Sequence, residues 1–487
     1  MNSTPTSSFA ATVDGAAPAT DQPHTEWLYQ AQKKIYARSV TGRFVNWRWA
    51  LVLLTQIVFY GLPWLQWNDR QMLLFDLGTR RFYIFGLVFY PQDFIYLTAL
   101  LLVSAYALFL FTAVAGRLWC GYACPQTVYT EIFMWVESKI EGDRAKRMKL
   151  DAGPWTAERL WRKTAKQAAW VGIALWTGFT FVGYFTPIRT LAHEAATLGF
   201  GPWEWFWILF YGFATWGNAG YMREQVCKYM CPYARFQSAM FDHDTLIISY
   251  DTQRGEPRGS RSKKADPKAL GLGACVDCGL CVQVCPTGID IRQGLQYECI
   301  GCAACIDVCD GVMDKMGYAR GLVRYDTQNG LREQLTRAQL LRRVLRPRVL
   351  VYTAVLALIV TGVGVSIALR TPFKVDVVRD RASLARIVDD GMVENVYRLQ
   401  VMNATETSQS YTVTADGLQG LALDAPVLFT LGPADARWVT LALRVPPDTA
   451  ATLPPGAHEI HFTIERVGTG GDAGRQLREK STFVLPR

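Results

Sequence analysis

Five apolar runs divide the chain: residues 49–65, 94–115, 168–185, 203 to about 220, and 349–369. About 20 residues at ~1.5 Å each cross the ~30 Å hydrocarbon layer of a bilayer, so each run has the length of a transmembrane helix. Residues 73–90 are also apolar, but Asp76, Arg80 and Arg81 interrupt them, which reads as an interfacial loop. Beyond Arg370 the pattern changes to short alternations of apolar and polar residues bounded by turn formers. Strands are expected at 396–402, 411–415, 426–431, 438–445 and 459–466. Short strands at this spacing predict a β-sandwich of about 110 residues.

Charge orients this frame. Of 487 residues, 19% are charged, below the ~25% of ordinary soluble domains, and the net charge is +9. The basic residues cluster beside the apolar runs: Lys33, Lys34, Arg38, Arg43 and Arg48 before the first, residues 139–166 before the third, and residues 254–348 before the fifth. Loops 66–92 and 186–202 carry few. Such a distribution describes bilayer orientation before nucleic-acid binding. It places the N-terminus and the 254–348 segment in the cytoplasm and the C-terminus outside, the opposition that five spans require. Residues 1–25 lack an apolar core and read as a polar tail rather than a signal peptide.

The chemistry is carried by cysteine. Eight of the twelve fall between Cys275 and Cys309. They form two C-x2-C-x2-C-x3-C runs, Cys275, Cys278, Cys281, Cys285 and Cys299, Cys302, Cys305, Cys309. This spacing lets three thiolates wrap three corners of one [4Fe–4S] cube while the fourth reaches the neighbouring cube. Cys275, Cys278, Cys281 and Cys309 are thereby expected on one cluster, and Cys299, Cys302, Cys305 and Cys285 on the second. Zinc usually pairs two thiolate hooks across a longer gap, and disulfide frameworks belong to short secreted chains. Asp310 stands where a proline usually follows the second run.

The other four cysteines form two C-x3-C-Pro pairs, Cys120/Cys124 after the second apolar run and Cys227/Cys231 after the fourth. Both are expected at the inner membrane face. On an α-helix each would be an i,i+4 pair, with the proline restarting or kinking the helix. A copper or redox role and a plain packing role are both open, since thiolates select Cu(I) and buried cysteine also serves as a small hydrophobe. His24, His193, His243, His458 and His461 all lie outside the expected spans, which argues against a bis-histidine haem in the bilayer. His243 is a weak candidate ligand beside the second pair. His458 and His461 read as surface residues of the β-domain.

Three stretches carry a resemblance: Trp119-Cys-Gly-Tyr-Ala-Cys-Pro-Gln-Thr-Val-Tyr-Thr130, Arg223-Glu-Gln-Val-Cys-Lys-Tyr-Met-Cys-Pro-Tyr-Ala-Arg-Phe-Gln237, and Cys285-Pro-Thr-Gly-Ile-Asp-Ile-Arg292. Over roughly residues 30–487 the chain resembles the cytochrome c oxidase accessory proteins of the CcoG (FixG/RdxA) family. The resemblance implies a bacterial inner-membrane protein with two [4Fe–4S] clusters and an immunoglobulin-like C-terminal domain. It also implies reduction of Cu(II) to Cu(I) for assembly of a cbb-type oxidase, with Cys120, Cys124, Cys227 and Cys231 as its membrane-face cysteines. The expected layout is a cytoplasmic tail (1–45), helices 1–4 (46–248), a ferredoxin-like domain (249–347), helix 5 (348–370) and a periplasmic immunoglobulin-like domain (371–487). Expected partners are membrane lipid, a cytoplasmic electron donor, a copper chaperone or transporter or oxidase assembly factors, and a second copy of the chain, with no nucleic acid. Two rival readings are a conduit for electrons from membrane quinol and a non-redox copper chaperone or scaffold.

Overall fold

The computed structural model describes residues 34–486 except 268, 382–383 and 469–473. The polar tail expected over residues 1–25, His24 included, lies outside the described residues, as does Lys33. All five apolar runs are helical: Arg43–Gly61, Phe94–Ala115, Ala157–Val182, Pro202–Thr215 and Pro347–Ala368. Among the described residues, two helices are long and apolar enough to cross a membrane, Pro91–Ala115 and Pro347–Ala368. The third run extends back through Glu158, Arg159, Arg162, Lys163 and Lys166, and the fourth has only 14 α-helical residues. Leu101 and Leu358 keep most of their surface exposed, as lipid-facing residues would.

Those two apolar helices run antiparallel. Tyr96 Oη lies 3.0 Å from Ser366 Oγ at one end, and Arg346 Nη2 donates to Ala113 O (2.6 Å) at the other. The cysteine-rich segment adjoins the Ala113–Arg346 end, and the C-terminal domain adjoins the Tyr96–Ser366 end.

Near the cysteines, Ile247–Tyr250 pairs antiparallel with Val323–Asp326, and the helix Ala304–Met316 packs beside them. Asp307, on that helix between Cys305 and Cys309, accepts backbone N–H bonds from Phe44 (3.1 Å) and Val45 (2.8 Å). Its carboxylate therefore caps the helix Arg43–Gly61, where unpaired N–H groups and the helix dipole favour negative charge.

The C-terminal domain is a sandwich. One sheet orders Ala422–Leu423, Ala436–Val445, Val393–Asn403 and Phe373–Arg379, with Arg386–Ile387 also on Val393–Asn403. The other orders Val427–Leu431, Gln409–Asp416, Gly456–Val467 and Gln476–Leu485. Tyr397, Leu399, Tyr411, Leu443, Phe462 and Phe483 fill the space between them. The five expected strands are present, and four strands are additional. Gln476–Leu485 escaped the pattern because it is an edge strand, buried only at Phe483 and Leu485.

Residues 73–90 are not a loop. Leu73–Asp76, Arg81–Ile84 and Leu87–Phe89 form a three-stranded antiparallel sheet, beside the ribbon Gln66–Trp67/Arg70–Gln71. The charges taken for interruptions belong to its first turn and edge: Thr79 N donates to Asp76 Oδ1 (2.9 Å), and Arg81 pairs with Asp435 of the sandwich (3.2 Å). Leu74, Tyr83, Val88 and Tyr90 pack on Met402 and Ala434, so this sheet is the seat of the C-terminal domain.

Replacing Asp307 with Ala removes both cap bonds and is expected to cost about 1–3 kcal/mol, whereas Asn, which keeps an acceptor, loses less. Denaturant unfolding of the purified protein in detergent, compared across the three forms, measures the difference.

Candidate functional site

The ferredoxin-type cysteines occupy loops shaped by left-handed residues: Asp277 and Gly279 in the first, Gly301 and Ala303 in the second. Short helices carry the chain out of each loop, Leu280–Gln283 toward Cys285 and Ala304–Met316 through Cys309. Two adjoining cavities result. Cys275, Cys278, Cys281 and Cys309 line one, with Val312, Leu322 and Val323. Cys285, Cys299, Cys302 and Cys305 line the other, with Ile248, Ile289 and Ile300, and Cys281 stands in the wall between them. The two groups are the ones that the spacing rule separates.

The chemistry of this donor set fits iron–sulfur clusters. All twelve cysteines are free thiols. Desolvation pushes Cys281 up to about 11 and Cys299 and Cys309 up to about 12, with neighbouring thiols adding to the shift. Cys302 and Cys305 move the same way for the same reason. Cys299 and Cys305 retain some exposed area, but both lie deep in the protein, and depth is what desolvates them. Thiolates are unfavourable in so dry a place unless cationic iron shares the charge. Among the described residues no three His, Cys, Asp or Glu side chains converge on a single-ion position. Ligands for separate corners of a cube need not converge that way.

Asp310, in the place of the usual proline, has its own role: its Oδ1 accepts Gly321 N (2.8 Å), tying the helix to the strand that begins at Val323.

The other four cysteines adjoin the second cavity. Cys120 and Cys227 pack against the buried cluster of Val284, Ile300, Cys302 and Ala304, on which Cys305 also rests. A Cβ on Gly121 would sit 2.8 Å from Ile300 O and 2.9 Å from Cys302 Cα, so only glycine lets the two cysteine loops lie face to face. Gly301 answers from the other side with a φ of 69°, where a Cβ would meet Arg117 O at 3.0 Å, and Tyr325 Oη donates to its carbonyl (2.6 Å).

Neither C-x3-C pair sits on a regular α-helical turn. Cys120 lies in the five-residue helix Leu118–Tyr122, and Cys124 is extended. Cys227 lies in the π-helical segment Val226–Met230, whose last bond runs from Cys231 N to Val226 O (2.8 Å). Just before it, Gln126 Nε2 bonds Asn218 O (2.9 Å) and Arg223 O (3.1 Å) across a first π-helical stretch, Trp216–Met222. The prolines restart helices as expected, at Pro125–Ile140 and Pro232–Met240.

The two pairs are nonetheless held together. Arg117 Nη2 donates to Ala234 O (2.7 Å), and the fully buried Gln237 donates from Nε2 to Cys120 Sγ (3.3 Å). Burial pushes Cys120 up to about 11 and Cys227 up to about 12, and each feels the other thiols of the set. Behind them, Glu137 takes Arg147 (2.8 Å) and Arg223 (3.0 Å), and Glu141 takes Lys166 (2.9 Å), in a buried ionic network joining the surrounding helices. Arg117 and Gln237 carry no chemistry recognisable from sequence. Only the fold shows that Gln237 reaches sulfur and that Arg117 reaches the helix after the second pair.

His243 is exposed and its Nδ1 lies 2.5 Å from Gln328 Oε1, so its ring is engaged by an amide and not by the thiols. His458 Nε2 lies 2.8 Å from Pro454 O, and His461 lies between Asp416 (3.9 Å) and Glu459 (3.5 Å) on the sandwich surface.

Cluster-type cysteine cavities, long apolar helices and an immunoglobulin-like sandwich together define a membrane-associated iron–sulfur protein of the electron-transfer class. Three family descriptions match: a "4Fe-4S binding domain" over residues 97–142, a "4Fe-4S dicluster domain" over 222–328, and an "IG-like fold at C-terminal of FixG" over 363–486. The chain is 39% identical to Protein RdxA of Cereibacter sphaeroides over 94% of its own length and 99% of the relative's. It is 38% identical to Nitrogen fixation protein FixG of Rhizobium meliloti over 88% of each. A crystal structure of a FixG-related protein from Vibrio parahaemolyticus matches 24% of this chain and 97% of its own, at 25% identity and a TM-score of 0.20. The chain belongs to the FixG/RdxA family.

Because Gly121 faces the backbone of the second cysteine loop, Gly121→Val is expected to displace that loop and lose the iron of the second site while the first is retained. Iron-to-protein ratios near half of wild type, with a correctly sized particle on gel filtration, are the result to look for.

Proposed function

We propose that this protein is a membrane-bound cupric reductase, taking electrons from a cytoplasmic donor and delivering Cu(I) for assembly of a cbb-type oxidase. The observation that carries the reading is the packing of Cys120 and Cys227 against the buried cluster that contains Cys302, a cysteine of the second site. In this reading residues 1–45 are a cytoplasmic tail, 46–248 hold four spans, 249–347 are the cluster domain, 348–370 the fifth span, and 371–487 a periplasmic domain. The basic residues of the tail, 139–166 and 254–348 support that orientation. So does the placement of the cysteines and the sandwich at opposite ends of the two apolar helices.

Two [4Fe–4S] clusters, held by Cys275/Cys278/Cys281/Cys309 and Cys285/Cys299/Cys302/Cys305, supply one-electron transfer when bound. The rest falls to the chain. Cys278, the one exposed cysteine of the twelve, marks where a donor can approach. Cys120, Cys124, Cys227 and Cys231 bind the copper substrate, each thiol that ligates it releasing a proton. Each Cu(II) gains one electron and becomes Cu(I), and the donor is oxidised by one. Sulfur is a soft ligand and favours Cu(I), so the site stabilises the product of its own reaction. The resemblance of both C-x3-C-Pro motifs to the CcoG family supports copper as the acceptor, with chaperones, transporters or assembly factors as its recipients.

One observation favours quinol as the electron source instead. A cavity between Trp49, Trp135, Arg48 and Glu131 on one side and Pro286 and Ala304 on the other brings the expected headgroup level beside the second cluster site. Amphipathic rings and paired charges are what a quinol headgroup would meet there.

With reductant present, the wild-type protein should turn Cu(II) into Cu(I), read with a Cu(I)-specific dye. Serine at all eight cluster cysteines should lower the rate to that of buffer, and an unchanged rate would sink the proposal. Quinol added alone to protein in liposomes separates the sources: rapid bleaching of cluster absorbance supports the quinol reading.

A further inference from the structure

Arg117 is a buried cation without an anion. Only 6% of its surface is exposed, its one hydrogen bond runs from Nη2 to the neutral carbonyl of Ala234, and its Nε has no partner. Among the described residues no carboxylate forms an ion pair with it. Three other buried cations are each met by one: Arg48 by Glu131, Arg147 by Glu137 and Lys166 by Glu141. An uncompensated guanidinium in the interior costs several kcal/mol, which a stable fold does not bear without return.

What surrounds Arg117 is sulfur. It starts the turn that carries Cys120, its guanidinium reaches Ala234 beside the second pair, it lines a cavity with Cys299, and its carbonyl lies against Gly301 of the second cysteine loop. The two pairs also meet: Cys120 and Cys227, one from each, pack against the same buried cluster. Yet no three of them converge on a single-ion position. A set of thiols that adjoin across the two pairs but do not converge on one position suits several soft ions bridged by thiolates. Such a complex carries net negative charge, because Cu(I) brings one positive charge and each thiol that binds it loses a proton.

We propose that Arg117 is the counter-charge of one composite, multi-ion Cu(I)–thiolate site formed jointly by Cys120, Cys124, Cys227 and Cys231. This rests on copper being the substrate of those thiols, and it adds that the two pairs work as a unit and that a non-ligand cation sets the unit's affinity. Arg117 is a positioning residue: it touches no copper and acts through the thiolates. Copper loading turns its electrostatic cost into stabilisation. Since Arg117 also lies against the loop of Cys299 and Cys302, the loaded site is drawn toward the electron source.

The test is anaerobic Cu(I) binding to the full-length, cluster-loaded protein in detergent, in competition with bathocuproine disulfonate. Arg117→Gln should weaken binding by roughly tenfold or more, as removing one partner of a buried charge pair does, while Arg117→Lys recovers most of the affinity. Iron content reports folding independently. Replacing only Cys120 and Cys124 with serine should also release the copper held by Cys227 and Cys231. Wild-type affinity in Arg117→Gln, or half the copper retained when one pair is replaced, overturns the proposal while leaving copper as the substrate. Failure of the wild type to bind Cu(I) at all overturns both readings. If Arg117→Gln loses its iron, the pair replacement decides alone.

Discussion

A thiolate survives in a dry interior only when a cation shares its charge, and the organisation of this protein follows from that constraint. Cys299, Cys302 and Cys305 lie deep among Ile248, Ile291 and Ile300, where desolvation, with the neighbouring thiols, holds them neutral. Such a pocket binds a metal–sulfur group tightly because the unloaded alternative is poor. The same burial keeps water from the sulfur and preserves short paths from one group to the next. Cys281 stands in the wall between the two cavities, and Cys120 and Cys227 continue the series toward the membrane helices. The groups could not be this close without glycine at Gly121 and Gly301, where the two loops touch backbone to backbone.

Much of this was legible in the chain because ligation and membrane insertion are local properties. Cys275 to Cys285 and Cys299 to Cys309 announce their cluster geometry by spacing, since one loop must wrap one cube. The five apolar runs became helices because composition alone requires it. What was not legible is set by contacts distant in sequence. The sheet formed by residues 73–89 has strands of three and four residues, too short to show alternation, and it owes its order to Met402 and Ala434 more than 300 residues away. The π-helical stretch Trp216–Met222, just before the segment that holds Cys227, answers to Gln126, more than ninety residues earlier. The number of helices that cross a membrane is likewise less plain than the run count suggests, because the helix Ala157–Val182 is half basic and half apolar.

Two carboxylates at helix N-termini join apolar helices to the domains beside them. Asp307, from the cluster domain, caps Arg43–Gly61 through Phe44 and Val45. Asp93 opens Phe94–Ala115, accepts Tyr90 N (3.1 Å), and is met by Arg370 and by Lys374 (3.1 Å) where the last helix enters the sandwich. In both places a helix dipole that favours negative charge is satisfied by a residue whose other contacts belong to a different part of the protein. Buried ionic contacts of this kind add little net stability compared with apolar packing, but they discriminate strongly against wrong geometries, since an unpaired member is costly. The cluster domain can therefore take few orientations on its helices, and the sandwich few on its seat. For a protein whose sulfur groups must meet at close range, that restriction matters more than a few kcal/mol of stability. A loop tether would preserve the fold of each domain and still lose the continuity from Cys302 to Cys120 and Cys227. That continuity therefore depends on carboxylates such as Asp307 as much as on the cysteines themselves.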